Sequence, residues 1–553
     1  MTEPAAPVTQ EGPEPEAQPG PAAGIGRAAA LIAGLTVVAR LLGLGRQVVF
    51  AHTVQAYCLG TAYATANQVP NIIYDIVLGG ALASVMVPVL ARSAERSGSD
   101  PEAARQVARI SSALLTWTVL ILVPASIVIA LAAGPIATLL NPVNPHDGCT
   151  HASLVTVTGQ MLVAFAPQVL FYGLAVVLYG ILQAHRKFTA PALAPVLSSL
   201  VVMAAYLLFV PFGHDYRKNL HGLPASAELI LALGTTAGVA ALAVTALVPA
   251  LRLRLVLRPA LRFPEGIGAR VRGLAAYGIS AVIAQDAAGV VVIALANGRG
   301  AQGSLVLYGY GWQIFVSVYA VLAIPIAISA FPVLSTQRGA EFDETAAGST
   351  RAVLLMSCLG AALLAAIAWP AARLFASAPS QVTPLALGFA AFAPGLIGYG
   401  LTACLSRVLL AGGRTASAAV AMSGGWVAVI AADVILVHLV PARWIVAALG
   451  LGNTLGLTAA ALALLVAVRA SHGRAALRAC ARAAGAGLAG ALAGAAAGAG
   501  LARLLPSTAG LVADAAIAVA AAAVCAAVFG GLALVLDGGE LRAALARVRR
   551  TAR

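Results

Sequence analysis

Two arginines interrupt an apolar run near the N-terminus. In ARLLGLGRQVVFA (39–51), Arg40 and Arg46 stand six residues apart among side chains that read as hydrocarbon. A guanidinium at the bilayer centre costs roughly 2.5–3.5 kcal/mol on insertion scales, so two on one helix are expected to face a hydrated or paired interior. Six residues advance a helix by about 600°, which leaves the two side chains some 120° apart and about 9 Å apart along the axis. They are placed to line one cavity wall at two depths. The blander alternative has Arg46 reaching an interface along its apolar stem and Arg40 held in a structural ion pair.

Other polar residues in apolar surroundings offer partners. In NQVPNIIYDIVLGGA (67–81), Asn67, Asn71 and Asp75 recur at i, i+4 and i+8, on one slowly drifting helical stripe. Asp75 is the natural counter-ion for one of the arginines, in a pair that is either structural or functional. Pro70 removes a backbone donor and frees a carbonyl, a device tolerated where water or neighbours satisfy it. Asp286 and Asp433 are lone carboxylates in apolar stretches, and Asn453 and Thr454 supply further oxygens. Oxygen donors suit a hard cation such as Na⁺, and a buried carboxylate equally suits a proton; hydrogen bonding between helices is the alternative. Arg407 lies near a span end and reads as reaching an interface. There is no Walker motif, metal-spaced His/Cys set or nucleophile elbow, so no enzyme, and no cofactor beyond a coupling Na⁺ or H⁺, is expected.

The elements that carry these residues follow from composition. Of 553 residues, 60% are hydrophobic and 10% charged, with mean hydropathy +0.92. Soluble chains carry roughly 25% charged residues, so this is a membrane protein. The net charge of +14 sits between apolar stretches, where it orients the chain, and no nucleic-acid partner is implied. Spans long enough to cross ~30 Å of hydrocarbon are expected at 28–50, 62–91, 110–134, 155–183, 190–211, 227–251, 273–296, 304–334, 352–376, 384–411, 417–440, 444–468, 483–502 and 511–536. With the N-terminus in the cytoplasm, only Arg217, Lys218, Arg299, Arg373, Arg443 and Arg503 of the 34 lysines and arginines fall outside. Arg40, Arg46 and Arg407 lie within spans and all the others inside, which supports fourteen spans with both termini cytoplasmic in a plasma membrane. Cys58 and Cys149 fall in loops on the outer side, as a disulfide or as inert thiols.

The chain also repeats itself. YGLAVVLYGILQAHRKFTA from Tyr172 is similar to YGLTACLSRVLLAGGRTAS from Tyr399, and VPVL (87–90) closes the second span as FPVL (331–334) closes the eighth. Both matches pair span n with span n+6, so two six-helix halves run in the same direction, an architecture of transporters with a site between the halves. The fold expected is all-α and polytopic, with about 14 transmembrane helices in two parallel six-helix repeats plus two C-terminal helices. Its parts are a disordered cytoplasmic tail (1–24), an N-lobe (25–251), a C-lobe (252–468), spans thirteen and fourteen (469–536) and a basic cytoplasmic tail (537–553).

The stretches ARLLGLGRQVVFA and QVPNIIYDIVLGGALASVMVPVLA resemble the start of the MurJ/MviN family of lipid II flippases, in the multidrug/oligosaccharidyl-lipid/polysaccharide exporter superfamily. The resemblance extends over about residues 26–536. It implies export of an undecaprenyl-pyrophosphate-linked peptidoglycan precursor by alternating access, in the service of cell-wall synthesis and division proteins. The family's first-helix arginines match Arg40 and Arg46, expected to grip the pyrophosphate, and its Pro-Asn matches Pro70 and Asn71. With Asn67, Asp75 and Gln313 these form the expected substrate site, and the family's sodium site roughly matches Asp286, Asp433 and Thr454. The chain departs from the family where a basic pair is replaced by Tyr74 and Asp75, a glutamate by Gly79, an aspartate by Thr61 and an eighth-helix arginine by Gln313. Those departures leave open an exporter of another polyprenyl-linked glycan or of a drug, and a non-transporting scaffold for cell-wall assembly.

Overall fold

Proline placement divides this chain into rods and broken rods. A computed structural model describes residues 21–76, 101–185, 187–253, 258–261, 267–505 and 510–536. Among them every regular element is helical. The helices are α1 (Pro21–Thr53), α2 (Cys58–Ile76), α3 (Pro101–Leu131, then Ala133–Leu140), α4 (His151–Phe165, then Gln168–Ala184), α5 (Thr189–Gly213), α6 (Ala225–Leu251) and α7 (Ile267–Arg299). They continue as α8 (Ser304–Leu322, then Ile324–Thr336), α9 (Gly339–Ala366, then Ala368–Phe375), α10 (Pro379–Phe392, then Gly395–Ala411), α11 (Thr415–Leu439), α12 (Ile445–His472), α13 (Cys480–Leu504) and α14 (Leu511–Leu536).

Among the described residues, twelve helices, α3 to α14, are long and apolar enough to cross a membrane. α1 and α2 stand where the first two expected spans lie, a pattern compatible with fourteen. The far part of the second span, with Gly79, lies outside the described residues, as do residues 1–20 and the basic tail 537–553. α1 begins at Pro21, inside the segment expected to be tail. Proline suits a first helical position because its missing N–H is unpaired there in any case, and the alanines that follow favour the helix.

The breaks expose a repeat deeper than the sequence echo. α3 breaks at Ala132 and α9 at Ile367, each followed by an eight-residue helix. In both, a proline (Pro135, Pro370) lies four residues beyond the last residue of the longer piece, where its ring strikes the i−4 carbonyl and stops the ladder. α4 and α10 both break within Phe-Ala-Pro, at residues 165–167 and 392–394. α3 thus matches α9, and α4 matches α10, in shape.

Small residues let the helices within each half approach closely. In the N-lobe, a Cβ on Gly234 would strike Ala205, and one on Gly238 would strike Val202, so α5 and α6 lie nearly backbone to backbone. In the C-lobe, Gly425, Gly452 and Gly456 do the same for α11 and α12, against Ala460, Asp433 and Val429. α13 packs on α9 through Gly487 and Gly498, against Cys358 and Ala366. α14 closes over Gly490 and Gly494, and Asp514 reaches Arg373 at 3.5 Å.

One end of the molecule is tied shut. Cys58 and Cys149 form a disulfide across 91 residues. In the chain-entropy account a loop of that length restrains the unfolded state by roughly 4–5 kcal/mol. Gln302, from the α7–α8 connection, donates to Cys58 Sγ at 3.2 Å. At the same end two sets of hydrogen bonds join the lobes. Asn144 Nδ2 donates to the carbonyls of Asn297 (2.7 Å) and Gly300 (2.8 Å), while Asn297 Nδ2 donates to Thr65 Oγ1 and the Leu140 carbonyl, both 2.9 Å. Across from them, the Ala56 N–H donates to Ser377 Oγ at 2.9 Å, and Gln381 Nε2 donates to the Ala56 carbonyl at 2.9 Å. The α7–α8 connection meets α3–α4 as the α1–α2 connection meets α9–α10, so the two latches are copies under the same n to n+6 relation.

Two neighbouring glycines of α11 differ sharply in their surroundings. Gly425 is buried against Ala460, whereas Gly424 is exposed and has nothing within 4 Å of a would-be Cβ. Gly425→Leu should cost about 1–3 kcal/mol of stability by overpacking. Gly424→Leu should leave the melting temperature in detergent within a degree of the parent, and equal losses from both would refute the packing of α11 on α12.

Candidate functional site

The arginine pair sits where α1 is least supported. From Gly34 to Val49 no described α1 side chain is buried, and Gly43 and Gly45 have nothing within 4 Å of a would-be Cβ. Below that point, Phe50, Ala51 and Val54 enter the core. The arginines therefore lie on a stretch that stands off from its neighbours.

What it stands off from is a chamber of ≈ 590 Å³ between the lobes. Arg40, Arg46, Asn67, Asn71, Asp75 and Gln313 all line it, as does Asp286. Arg40 is exposed at its rim and Arg46 lies deeper, half-buried, matching the two depths that helical geometry gives. Arg46 Nε and Asn67 Oδ1 are buried without a hydrogen-bond partner among the described residues. A charged donor and an amide acceptor so placed are costly to bury unless something polar enters beside them.

Asn71 is held by a neighbour in the same lobe. Tyr172 on α4 donates to Asn71 Oδ1 at 2.9 Å, and its ring lies 4.4 Å from that of Tyr74. Beneath them Tyr63 Oη, Tyr206 Oη and Thr235 Oγ1 meet at 2.8 Å, tying α2 to α5 and α6. Asp75 lines the same chamber, yet among the described residues no ion pair joins it to either arginine. The simple pairing expected from their coexistence is not made, and both charges remain directed to the cavity. Arg407 donates to the Ala403 carbonyl at 2.7 Å on its own helix and does not line the chamber.

The carboxylates of the C-lobe separate. Asp286 sits at the chamber wall with Oδ2 unpartnered. Asp433 is fully buried where α11 crosses Gly452 of α12, and neither of its oxygens has a hydrogen-bond partner. Thr454 turns away, donating to the Ala391 carbonyl on α10 at 2.6 Å. Its neighbour Asn453 lines the chamber and donates to Tyr308 Oη at 3.0 Å. The three residues grouped from sequence thus divide between the chamber wall, a crossing behind it and a packing contact. Among the described residues no group of three or more His, Cys, Asp or Glu could hold a metal ion.

Sequence reasoning passed over half of this wall. Trp312, Trp426 and Tyr308 line the chamber opposite α1, together with Gln285. Their aromatic character reads as ordinary core in a membrane helix, and only Gln285, in the triplet Ala-Gln-Asp at 284–286, carried a polar signal. The latch residues Asn144, Asn297 and Gln381 were missed for a similar reason, since amides near span ends have no distinctive spacing.

The chain is similar to known proteins in sequence and in fold. The profile of the lipid II flippase MurJ family matches residues 50–497. A lipid II flippase MurJ of Burkholderia cenocepacia is 28% identical over 185 residues, 34% of each chain. A probable lipid II flippase MurJ of Synechocystis is 29% identical over 214 residues, 38% of this chain and 37% of its own. The chain thus aligns with little more than a third of the length of these curated relatives. Among solved structures, a lipid II flippase MurJ in an inward closed conformation superposes with TM-score 0.66 at 17% identity, covering 90% of this chain and 98% of that one. An inward-facing multidrug resistance MATE family transporter follows the same fold at TM-score 0.61 and 13% identity, covering 81% and 98%. The family match extends over most of the sequence, beginning just past the arginine pair at residue 50 and taking in the second-helix stripe and both lobes, so the chain belongs to the lipid II flippase MurJ family.

Proposed function

We propose that the protein moves lipid II, an undecaprenyl-pyrophosphate-linked peptidoglycan precursor, from the inner to the outer leaflet of the bacterial plasma membrane by alternating access. The observation that carries this reading is the pair Arg40 and Arg46 facing an interlobe chamber with Arg46 Nε unpartnered. A diphosphate crossing a low-dielectric interior needs a charge-matched partner, and the planar guanidinium fork supplies one in bidentate form. The disulfide end faces outward in this reading, because disulfides persist in oxidising compartments and the loop charges orient the chain the same way.

In that orientation the latches close the outer end while Arg40 marks the mouth toward the cytoplasm. The headgroup enters from that side, displaces water from the arginines, and the lobes rock about the chamber until the latches part. Two copies of one latch on either side of the pseudo-axis release together, which suits a rigid-body motion. Coupling by Na⁺ or H⁺ falls to Asp433 and Asp286, whose unpartnered oxygens accept either. The chamber's charged lining is two arginines against two aspartates, which does not fit the net acidic cavity expected of a cationic drug exporter. Asp75, an acid in the chamber where the family resemblance leads one to expect a basic residue, is the feature that favours a second reading, export of a different polyprenyl-linked glycan.

Three measurements test this. Replacing both Arg40 and Arg46 by Ala should cut outer-leaflet lipid II in a flippase-depleted strain at least about tenfold, since each charged hydrogen bond contributes about 1.5–3 kcal/mol. Arg407→Ala should complement normally; unchanged transport in the double variant would remove the assignment. An Ala56→Cys/Ser377→Cys pair, oxidised across the latch, should abolish transport while each single variant keeps it. Transport persisting through a verified crosslink would show that the disulfide end does not open. Asp433→Asn should leave lipid II binding intact and lower turnover under an imposed ion gradient, and undiminished turnover would exclude it from coupling.

A further inference from the structure

The chamber has two unlike walls. Its permanent positive charges all belong to α1 in the N-lobe, whereas the opposite wall presents Trp312, Trp426, Tyr308, Gln313, Gln285 and Asn453. Both lobes line the chamber with aromatic rings and amides, Tyr74, Tyr172, Asn67 and Asn71 among those of the N-lobe; the C-lobe wall is set apart by its two indoles and its lack of any cation, with Asp286 its one carboxylate.

Trp312 is the exposed face of a rigid aromatic bed. Its ring stacks on Phe315 at 5.5 Å and 22°, and lies 6.3 Å from both Trp426 and Tyr399 and 6.4 Å from Phe392. Phe315 and Phe392 are fully buried and Trp426 nearly so, which leaves Trp312 as the half-exposed member at the cavity. Among the described residues no hydrogen bond holds the Trp312 Nε1–H, and the half-exposed indole lines the chamber while stacked on Phe315 behind it. One helical position on, Gln313 lines the cavity with only a long 3.4 Å contact to Ser317 Oγ. Asn453, fixed by Tyr308 at 3.0 Å, adds a second amide.

A fixed indole flanked by amides is the chemistry that recognises a pyranose. The axial C–H bonds of a sugar lie flat against the negative π-face, and the ring hydroxyls and N-acetyl groups take hydrogen bonds from side-chain amides. The arginines have no such face to offer, and the aromatic wall has no cation for a diphosphate.

We propose that Trp312, backed by Trp426 and flanked by Gln313 and Asn453, is the saccharide-recognition wall of the chamber. One substrate is thereby divided between the lobes, with its diphosphate on α1 and its N-acetylated amino sugars on α8 and α12. This rests on the reading of the cargo as a polyprenyl-diphosphate-linked saccharide and adds to it the residues that select the sugar. It also gives Gln313 a role, since an amide serves a hydroxyl or acetamido group where a cation would serve a phosphate.

Binding to the full-length protein in nanodiscs, measured with two probes, separates the parts. The probes are lipid II and undecaprenyl diphosphate, which lacks the sugars. Trp312→Ala should weaken lipid II binding about tenfold and leave undecaprenyl diphosphate within twofold, a result that also shows the variant is folded. Trp312→Phe should recover part of the loss, and the Arg40→Ala/Arg46→Ala double variant should weaken both probes. Equal loss for both probes in Trp312→Ala, or no loss for either, overturns the saccharide wall while leaving the arginine site in place. Failure of the parent protein to bind either probe overturns the cargo reading and this inference with it.

Discussion

A guanidinium cannot remain in hydrocarbon, and that constraint organises this molecule. Arg40 and Arg46 lie within a run that would otherwise be an ordinary span. Their hydration must come from inside the protein, so α1 cannot pack tightly along its length as α5 does against α6. The described part of α1 is correspondingly exposed or only partly buried down to Val49, with Leu44, Val48 and Val49 brushing the core, and its fully buried side chains start at Phe50. A chamber between two lobes is the architectural consequence. The rest of the fold serves to hold two lobes apart at one end and together at the other.

Duplication supplies that geometry cheaply in sequence terms. Prolines four residues past the stops of α3 and α9 end both helices at equivalent heights, and the Phe-Ala-Pro breaks bend α4 and α10 alike. The connections that follow these helices then meet the opposite lobe in two related places, Asn144 with Asn297 and Ser377 with Ala56. Hydrogen bonds of this kind contribute about 1 kcal/mol each. Such contacts hold a state without fixing it, whereas the disulfide beside them lies wholly within the N-lobe and leaves the lobes free to separate.

Much of this was legible because charge and proline act through local rules. The two depths of Arg40 and Arg46 follow from helical advance alone, and the stripe Asn67, Asn71, Asp75 from i+4 spacing; the chamber gathers all five. The twelve described spans follow from hydropathy. What was not legible depends on partners remote in sequence. Asn297 meets Asn144 across 153 residues, and no local pattern marks either. Trp312 reads as core until the fold leaves it at a cavity, and Thr454 reads as a ligand until its hydroxyl is seen to serve Ala391. Two cysteines in loops left the disulfide undecided, because spacing alone does not say which ends of the helices come together.

The lobes are copies in shape but not in polarity, and that difference divides the work. Where α5 crosses α6, Tyr206 and Thr235 close a network on Tyr63 in which each hydroxyl finds a partner at 2.8 Å. Where α11 crosses α12, the corresponding polar group is Asp433, fully buried with both oxygens unpartnered. Burying a carboxylate without a partner costs several kcal/mol unless a proton or cation accompanies it. A purely structural crossing would gain by replacing that aspartate with a hydroxyl, as the N-lobe has done. The proposal that the C-lobe crossing takes up and releases a positive charge rests on this difference between the repeats. In that proposal the N-lobe, with its network complete, is the stiff wall behind the arginines.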